Sequence, residues 1–330
     1  MPKKSLSLDR SGSILKKLFY LGWEMPWETL GYSEEYRSSQ NEPSFFDLSS
    51  WGTVKISGPD AQDYLQRMST VDVKSLKANE VRHGAFLTGK GTVISLGMMF
   101  HWLGDYYFVL SPGQSSVLLE HLEKFHFAEN LTVSDVSDHW ALVGEWNPAH
   151  QKTPLVVSSE DDILRWGDDS RSALTWAWFP RTLFSNLNVE TPQLGYQLFE
   201  FFRVQAGVPQ VFSELSEQEI ILEGNFEASI ARNKGCYPGQ EVVERIFTYG
   251  RVNKKLFPVR VKGEVSVSLS QPLSFVAERE SKPVGQLVSA FTDPLVRGES
   301  LGLAFLHKNY WDFKGFLRAD NGVTLQLKQA

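Results

Sequence analysis

Of the 330 residues only one is a cysteine, Cys236. One thiol excludes an internal disulfide, and alone it cannot hold an iron–sulfur cluster, which takes four thiolates or imidazole substitutes. Any such cluster would belong to a partner or be bridged transiently. Long apolar runs are missing too. The stretch Leu18-Phe19-Tyr20-Leu21 near the amino terminus is shorter than a signal-peptide core and far short of a membrane span. Lys3, Lys4, Arg10, Lys16 and Lys17 surround it, but Asp9 and the brevity of the segment speak against an organellar transit peptide. The expectation is a cytoplasmic protein with no membrane contact. The seven histidines include no metal-binding pair, because His121 and His126 are five apart and leave one helical face, so no metal site is expected. Internal repeats and low-complexity tracts are absent. A net charge of −6 excludes a strongly basic, sequence-independent nucleic-acid binder. Residues 251–330 nevertheless carry 12 Lys and Arg against 7 Asp and Glu. That imbalance could meet an acidic partner, a polyglutamate tail or RNA, although a solvated surface of mixed charge is the simpler reading.

What is present is a folded chain. With 42% hydrophobic and 22% charged residues, its composition is that of globular proteins, and its length calls for two or three domains. Ser57-Gly58-Pro59 opens a helix whose apolar positions are Ala61, Tyr64, Leu65 and Met68. Ser111-Pro112 opens another, with Val117, Leu118, Leu122 and Phe125 on one face. Thr92 to Phe100, Tyr106 to Leu110, Leu131 to Val136 and Trp140 to Trp146 read as strands, and Gln193 to Ala206 as an aromatic-rich helix ended by Gly207 and Pro209. From Leu256 the pattern changes to short alternating stretches: Leu256–Val261, Val265–Val267, Leu273–Val276, Val284–Ala290, Leu301–Leu306, Gly315–Leu317 and Val323–Leu327. The fold class expected is α+β over residues 1–250, followed by an antiparallel β-barrel over 251–330.

Cys236 lies in Lys234-Gly235-Cys236-Tyr237-Pro238-Gly239-Gln240-Glu241. Two glycines and a proline within five residues mark a chain that bends sharply and lets short groups approach a ligand. An incidental buried cysteine in a surface turn is the bland alternative. Arg232, Lys234, Arg245 and Arg251 place cations near the thiol in sequence, which favours the reactive thiolate, and Glu241 and Glu244 partly offset them. Val242-Val243 and Ile246-Phe247 then form a short apolar element, closed by Tyr249-Gly250.

This octapeptide, with Arg245, Gly250, Asn253 and Lys254 downstream, resembles the signature of the folate-binding YgfZ family, relatives of the glycine-cleavage T-protein (aminomethyltransferase). Asp47-Leu48-Ser49-Ser50-Trp51-Gly52, Ile56-Ser57-Gly58-Pro59-Asp60-Ala61, Phe86-Leu87-Thr88-Gly89-Lys90-Gly91, Ala206-Gly207-Val208-Pro209 and Val284-Gly285-Gln286-Leu287-Val288-Ser289 extend the likeness from about residue 45 to about residue 305. The resemblance implies that residues 1–250 form two interleaved α+β subdomains ringed around a folate cavity, with a carboxy-terminal barrel. It implies tetrahydrofolate or a related folate, with or without a polyglutamate tail, as cofactor. Trp51 and Phe199 would border the pterin, Phe199 standing where the family has a second tryptophan and so offering a ring face without an indole N–H. Gln205 stands where many relatives have glutamate. Tyr237, Gln240, Glu241 and Arg245 complete the expected cofactor contacts, and Cys236 and Lys234 are the catalytic candidates. The T-protein's catalytic aspartate has no counterpart here, since Gly91-Thr92-Val93-Ile94 runs into Ser95-Leu96. Two functions follow from the resemblance: an accessory protein for assembly or repair of iron–sulfur enzymes, including those that methylthiolate tRNA, or a folate-dependent one-carbon transferase or demethylase. Expected partners are folate and iron–sulfur enzymes or assembly proteins.

Overall fold

The computed structural model describes residues 3–9, 14–78, 80–149, 158–160, 162–167, 174–186, 191–263, 265, 271–277, 282–319 and 321–328. The chain opens with three short strands, β1 (Lys3–Lys4), β2 (Lys16–Tyr20) and β3 (Trp23–Glu28), in the order β1-β3-β2. Helix α1 (Tyr32–Ser39) and strands β4 (Ser44–Asp47) and β5 (Gly52–Ser57) follow, then helix α2 (Ala61–Met68). Next come β6 (Val81–Leu87), β7 (Val93–Trp102), β8 (Asp105–Leu110), α3 (Gln114–Lys124), β9 (Thr132–Asp135) and β10 (Trp140–Trp146). Strands β11 (Ser158–Glu160), β12 (Ile163–Gly167), β13 (Leu174–Pro180) and β14 (Gln193–Leu194) lead to helix α4 (Tyr196–Gln205) and helix α5 (Gln240–Tyr249). Six strands close the chain: β15 (Lys254–Lys262), β16 (Leu273–Ala277), β17 (Gly285–Thr292), β18 (Glu299–His307), β19 (Leu317–Ala319) and β20 (Thr324–Leu327).

These elements separate into two compact units. The first holds residues 1–87, 94–199 and 228–238, the second 88–93, 200–227 and 239–330. In the first unit, strands β6-β7-β8-β5-β9 form one sheet and β11-β12-β13-β10-β4-β14 another. Helices α2 and α3 cover the first sheet because their apolar residues recur at helical spacing. Ala61, Tyr64, Leu65, Met68, Leu118 and Leu122 meet Val54, Ile56, Phe86, Met99 and Phe108 in one buried cluster. In the second unit the order β15-β18-β17-β16-β19-β20 closes into the expected antiparallel barrel. Its interior takes alternate residues of each strand, such as Val259 with Val261 and Phe275 with Ala277.

Two sequence expectations shift. Gln193-Leu194 is not the start of the aromatic helix but a strand paired in parallel with Phe45-Phe46, and the helix begins at Tyr196. The apolar element after the octapeptide is the ten-residue helix α5. Of the predicted strand Val265–Val267, residues 266 and 267 lie outside the described residues.

Candidate functional site

The first unit gathers an aromatic cluster from three distant stretches of chain. Trp51 ends a turn that follows β4, closed by its own N–H donating to the Leu48 carbonyl at 2.8 Å. Asp47 fixes that turn. Its buried carboxylate accepts from Ser5 Oγ (2.8 Å), Ser7 N (2.8 Å), Ser7 Oγ (2.5 Å) and Ser49 N (2.9 Å). Phe199 lies in the first turn of α4, whose start is set by Gly195. There the N–H donates to Glu35 Oε2 at 2.7 Å, and any Cβ would sit 2.3 Å from the Trp27 carbonyl oxygen. Glu35, fully buried, also accepts from Thr29 N and Leu30 N, so one carboxylate ties the loop after β3 to the head of α4. Trp176 enters from the middle of β13.

The three rings touch. Trp51 and Phe199 meet edge to face at 6.2 Å between centroids, Trp51 and Trp176 at 5.3 Å, and Trp176 and Phe199 at 6.4 Å. Tyr196 and Phe46 add edges to Phe199 at 5.2 and 5.7 Å. Trp51 and Phe199, which the sequence reading sent to one site, are thus side by side; Trp176, Asp47 as a turn clamp and Glu35 had no signal in a single sequence beyond their residue types. Trp51 Nε1 and Trp176 Nε1 are both buried and have no hydrogen-bond partner among the described residues. A cluster of ring faces with unspent N–H donors is suited to a flat heteroaromatic ligand that carries acceptors at its edge.

The thiol segment is also in the first unit, as far as Pro238. Lys234 is buried, and its ammonium donates to the main-chain carbonyls of Ser69 (2.6 Å) and Gln66, in the last turn and cap of α2. A cation at a helix carboxy terminus satisfies carbonyls that have no intrahelical donor. Gln66 returns the contact, its Nε2 donating to the Lys234 carbonyl at 2.7 Å. Lys234 Nζ also lies 5.3 Å from the centroid of the Tyr237 ring. Burial pushes the Lys234 ammonium down to about 8, against the raising influence of Asp72. Cys236 is exposed. Gly235 at φ +97° permits the bend between lysine and thiol.

Gln205, Gln240, Glu241 and Arg245 belong to the second unit. Gln240 and Glu241 open α5 behind Gly239, whose φ of +81° and 2.6 Å approach to the Thr88 carbonyl admit only glycine. Arg245 and Glu241 are exposed, and the Gln205 carbonyl accepts from Lys328 Nζ at 3.2 Å. In β7, Ser95 is wholly buried and its hydroxyl donates to Gln114 Oε1 at 3.0 Å. Among the described residues no group of three or more His, Cys, Asp or Glu could hold a metal ion, and no helix is long and apolar enough to cross a membrane.

Comparison with known proteins returns the relationship that the motifs suggested. Residues 14–161 match the GCVT N-terminal domain. The chain is 24% identical over 307 residues to the tRNA-modifying protein YgfZ of Vibrio atlanticus, covering 88% of this chain and 92% of that one. It is 27% identical over 252 residues to a mitochondrial iron–sulfur cluster assembly factor homologue of Dictyostelium discoideum, covering 64% and 61%. A chloroplastic protein of Arabidopsis thaliana, provisionally assigned as a transferase, is 23% identical over 293 residues, and the chain spans only 65% of its length. Among solved structures, the aminomethyltransferase T of the Bartonella henselae glycine cleavage system superposes with a TM-score of 0.81 over 100% of this chain and 97% of that one, at 16% identity. The fold is therefore that of the T-protein, and in sequence the chain is similar to YgfZ proteins over most of its length.

Proposed function

We propose that this protein binds a reduced folate and supports the assembly or repair of iron–sulfur enzymes, including those that methylthiolate tRNA. The observation that carries the folate half is the contact of Trp51, Trp176 and Phe199 with two indole N–H groups left unspent. Such a cluster fits a pterin, which offers a flat face for stacking and ring carbonyl and nitrogen acceptors for the donors. A bound folate would supply a carrier for one-carbon units. Trp51, Trp176 and Phe199 would hold its ring, and Tyr237 of the same unit is proposed for the rest of the molecule. The iron–sulfur half draws on the names of relatives, a tRNA-modifying protein and a cluster assembly factor, and on an exposed thiol two residues after a lysine anchored to the end of α2. The compartment is proposed as cytoplasmic, and a polyglutamate tail or weak tRNA contact is proposed for the basic carboxy-terminal region.

The one-carbon transferase reading has the T-protein fold in its favour. Against it, the stretch Gly91 to Leu96, where the resemblance leads one to expect a carboxylate that steers a proton, contains none. Cells lacking the protein, challenged with an oxidant, separate the two. Iron–sulfur enzyme activities should fall, the native chain should restore them, and Cys236→Ala should not restore them while remaining folded. Undiminished iron–sulfur activity, together with methyl or aminomethyl transfer to tetrahydrofolate by the pure protein, would refute the accessory role.

A further inference from the structure

Three indole nitrogens in this protein find acceptors: Trp146 Nε1 donates to the Ser39 carbonyl at 2.7 Å, Trp311 Nε1 to the Leu306 carbonyl at 3.0 Å and Trp178 Nε1 to Thr53 Oγ1 at 3.3 Å. Three buried ones, on Trp51, Trp166 and Trp176, have none among the described residues. Trp176 is 6% exposed and its nitrogen reaches neither solvent nor any described acceptor. Its position explains why. On β13 it stands between Gly144 of β10 and Trp166 of β12, so the neighbouring main chain is occupied by ladder bonds, and the rings it touches, Trp51 and Phe199, present carbon faces and another donor. An indole can donate but not accept and a phenyl ring has no acceptor atom, so neither ring that Trp176 touches satisfies it. Leaving such a donor buried and unmet costs about 1–3 kcal/mol, and two of them lie on adjoining rings.

We infer that Trp176 is a ligand-contacting residue that donates its indole N–H to an acceptor on the edge of a flat heteroaromatic ligand, beside Trp51. The inference rests on the folate reading above and deepens it by assigning one bond to the Trp176 nitrogen. It also accounts for Phe199. That ring contributes a face without a donor, and Trp176, 6.4 Å away on another element, supplies the N–H that a tryptophan at 199 would have carried. Trp311 provides the internal control, because its Nε1 already donates to the Leu306 carbonyl.

The test uses full-length protein carrying 15N-labelled indoles, with 5-formyltetrahydrofolate as the probe and calorimetry run in parallel. Trp176→Phe identifies the Trp176 resonance, with Trp176→Tyr as a second variant should the first fail to fold. On saturation the Trp176 N–H signal should move downfield and gain protection from solvent exchange, while that of Trp311 stays in place. Trp176→Phe, which keeps the ring face, should bind roughly two- to tenfold more weakly, the loss of one neutral hydrogen bond. Binding heat from the native protein with an unmoved Trp176 signal and an unchanged affinity in Trp176→Phe would overturn this inference and leave the folate reading standing. No binding heat from the native protein would overturn both.

Discussion

Lys234 shows how far burial changes one residue. Its ammonium, ordinarily at 10.5, is lowered to about 8 because little water remains around it. The unfolded chain therefore holds a proton between about pH 8 and 10.5 that the folded chain has released. Folding stability gained from this group is fully present above 10.5 and is lost as pH falls through about 8. Urea unfolding of the native protein and of Lys234→Met across pH 7.5 to 10.5 should show the native chain gaining on the variant as pH rises. A difference independent of pH would mean that Lys234 keeps an ordinary proton affinity. The sequence identified Lys234 through its place in the octapeptide and the resemblance, but assigned its charge to the thiolate. Folding instead spends that charge on the carbonyls of Gln66 and Ser69, a long-range contact 165 residues or more along the chain that local pattern cannot reveal. Trp51 and Phe199 were legible for the same family reason, and Trp176 was not, because an indole in an apolar strand carries no mark of whether its nitrogen will find a partner.

At the scale of elements, α2 and the segment after it depend on one side chain. Gln66 Oε1 accepts from Val73 N (2.7 Å) and Lys74 N (3.1 Å), and its Nε2 donates to Asp72 Oδ1 (3.0 Å) and the Lys234 carbonyl (2.7 Å). Gln66→Ala strands several of these groups, and thermal or urea unfolding should report a loss of about 2 kcal/mol or more. Less than half a kilocalorie would mean that water replaces the amide freely. Helices α2 and α3 and strand β10 were readable because each carries a full apolar period, and β10 matches its predicted limits, Trp140–Trp146. The amino-terminal strands and α1 were not read, since β2 leaves most of its residues exposed and α1 buries only Glu35 and Ser39. Polar elements of that kind are specified by partners such as Glu35 with Gly195, not by periodicity.

For the molecule as a whole, the barrel was the plainest feature, because six strands with one face inward repeat the same alternation between turn residues. What sequence could not show is the ion triad in the second unit. Arg203, with a side chain 4% exposed, is held by Glu200 (2.5 Å) and Glu214 (2.8 Å), both fully buried. The arginine is held well above its ordinary range by the two carboxylates. Arg203→Met would leave two buried carboxylates uncompensated and should cost about 3–5 kcal/mol in urea unfolding, whereas a neutral result would mean that the carboxylates take up protons at little cost. The likeness to the T-protein spans the entire chain, yet function turns on whether the aromatic cluster of the first unit takes a folate. That is settled by titrating the purified protein with tetrahydrofolate and its 5-formyl derivative while following tryptophan fluorescence. The account predicts saturable quenching, weakened in Trp51→Ala by about 1–3 kcal/mol if ring stacking dominates as in base–aromatic contacts. No change in fluorescence with either folate, or an identical dissociation constant in Trp51→Ala, would contradict it.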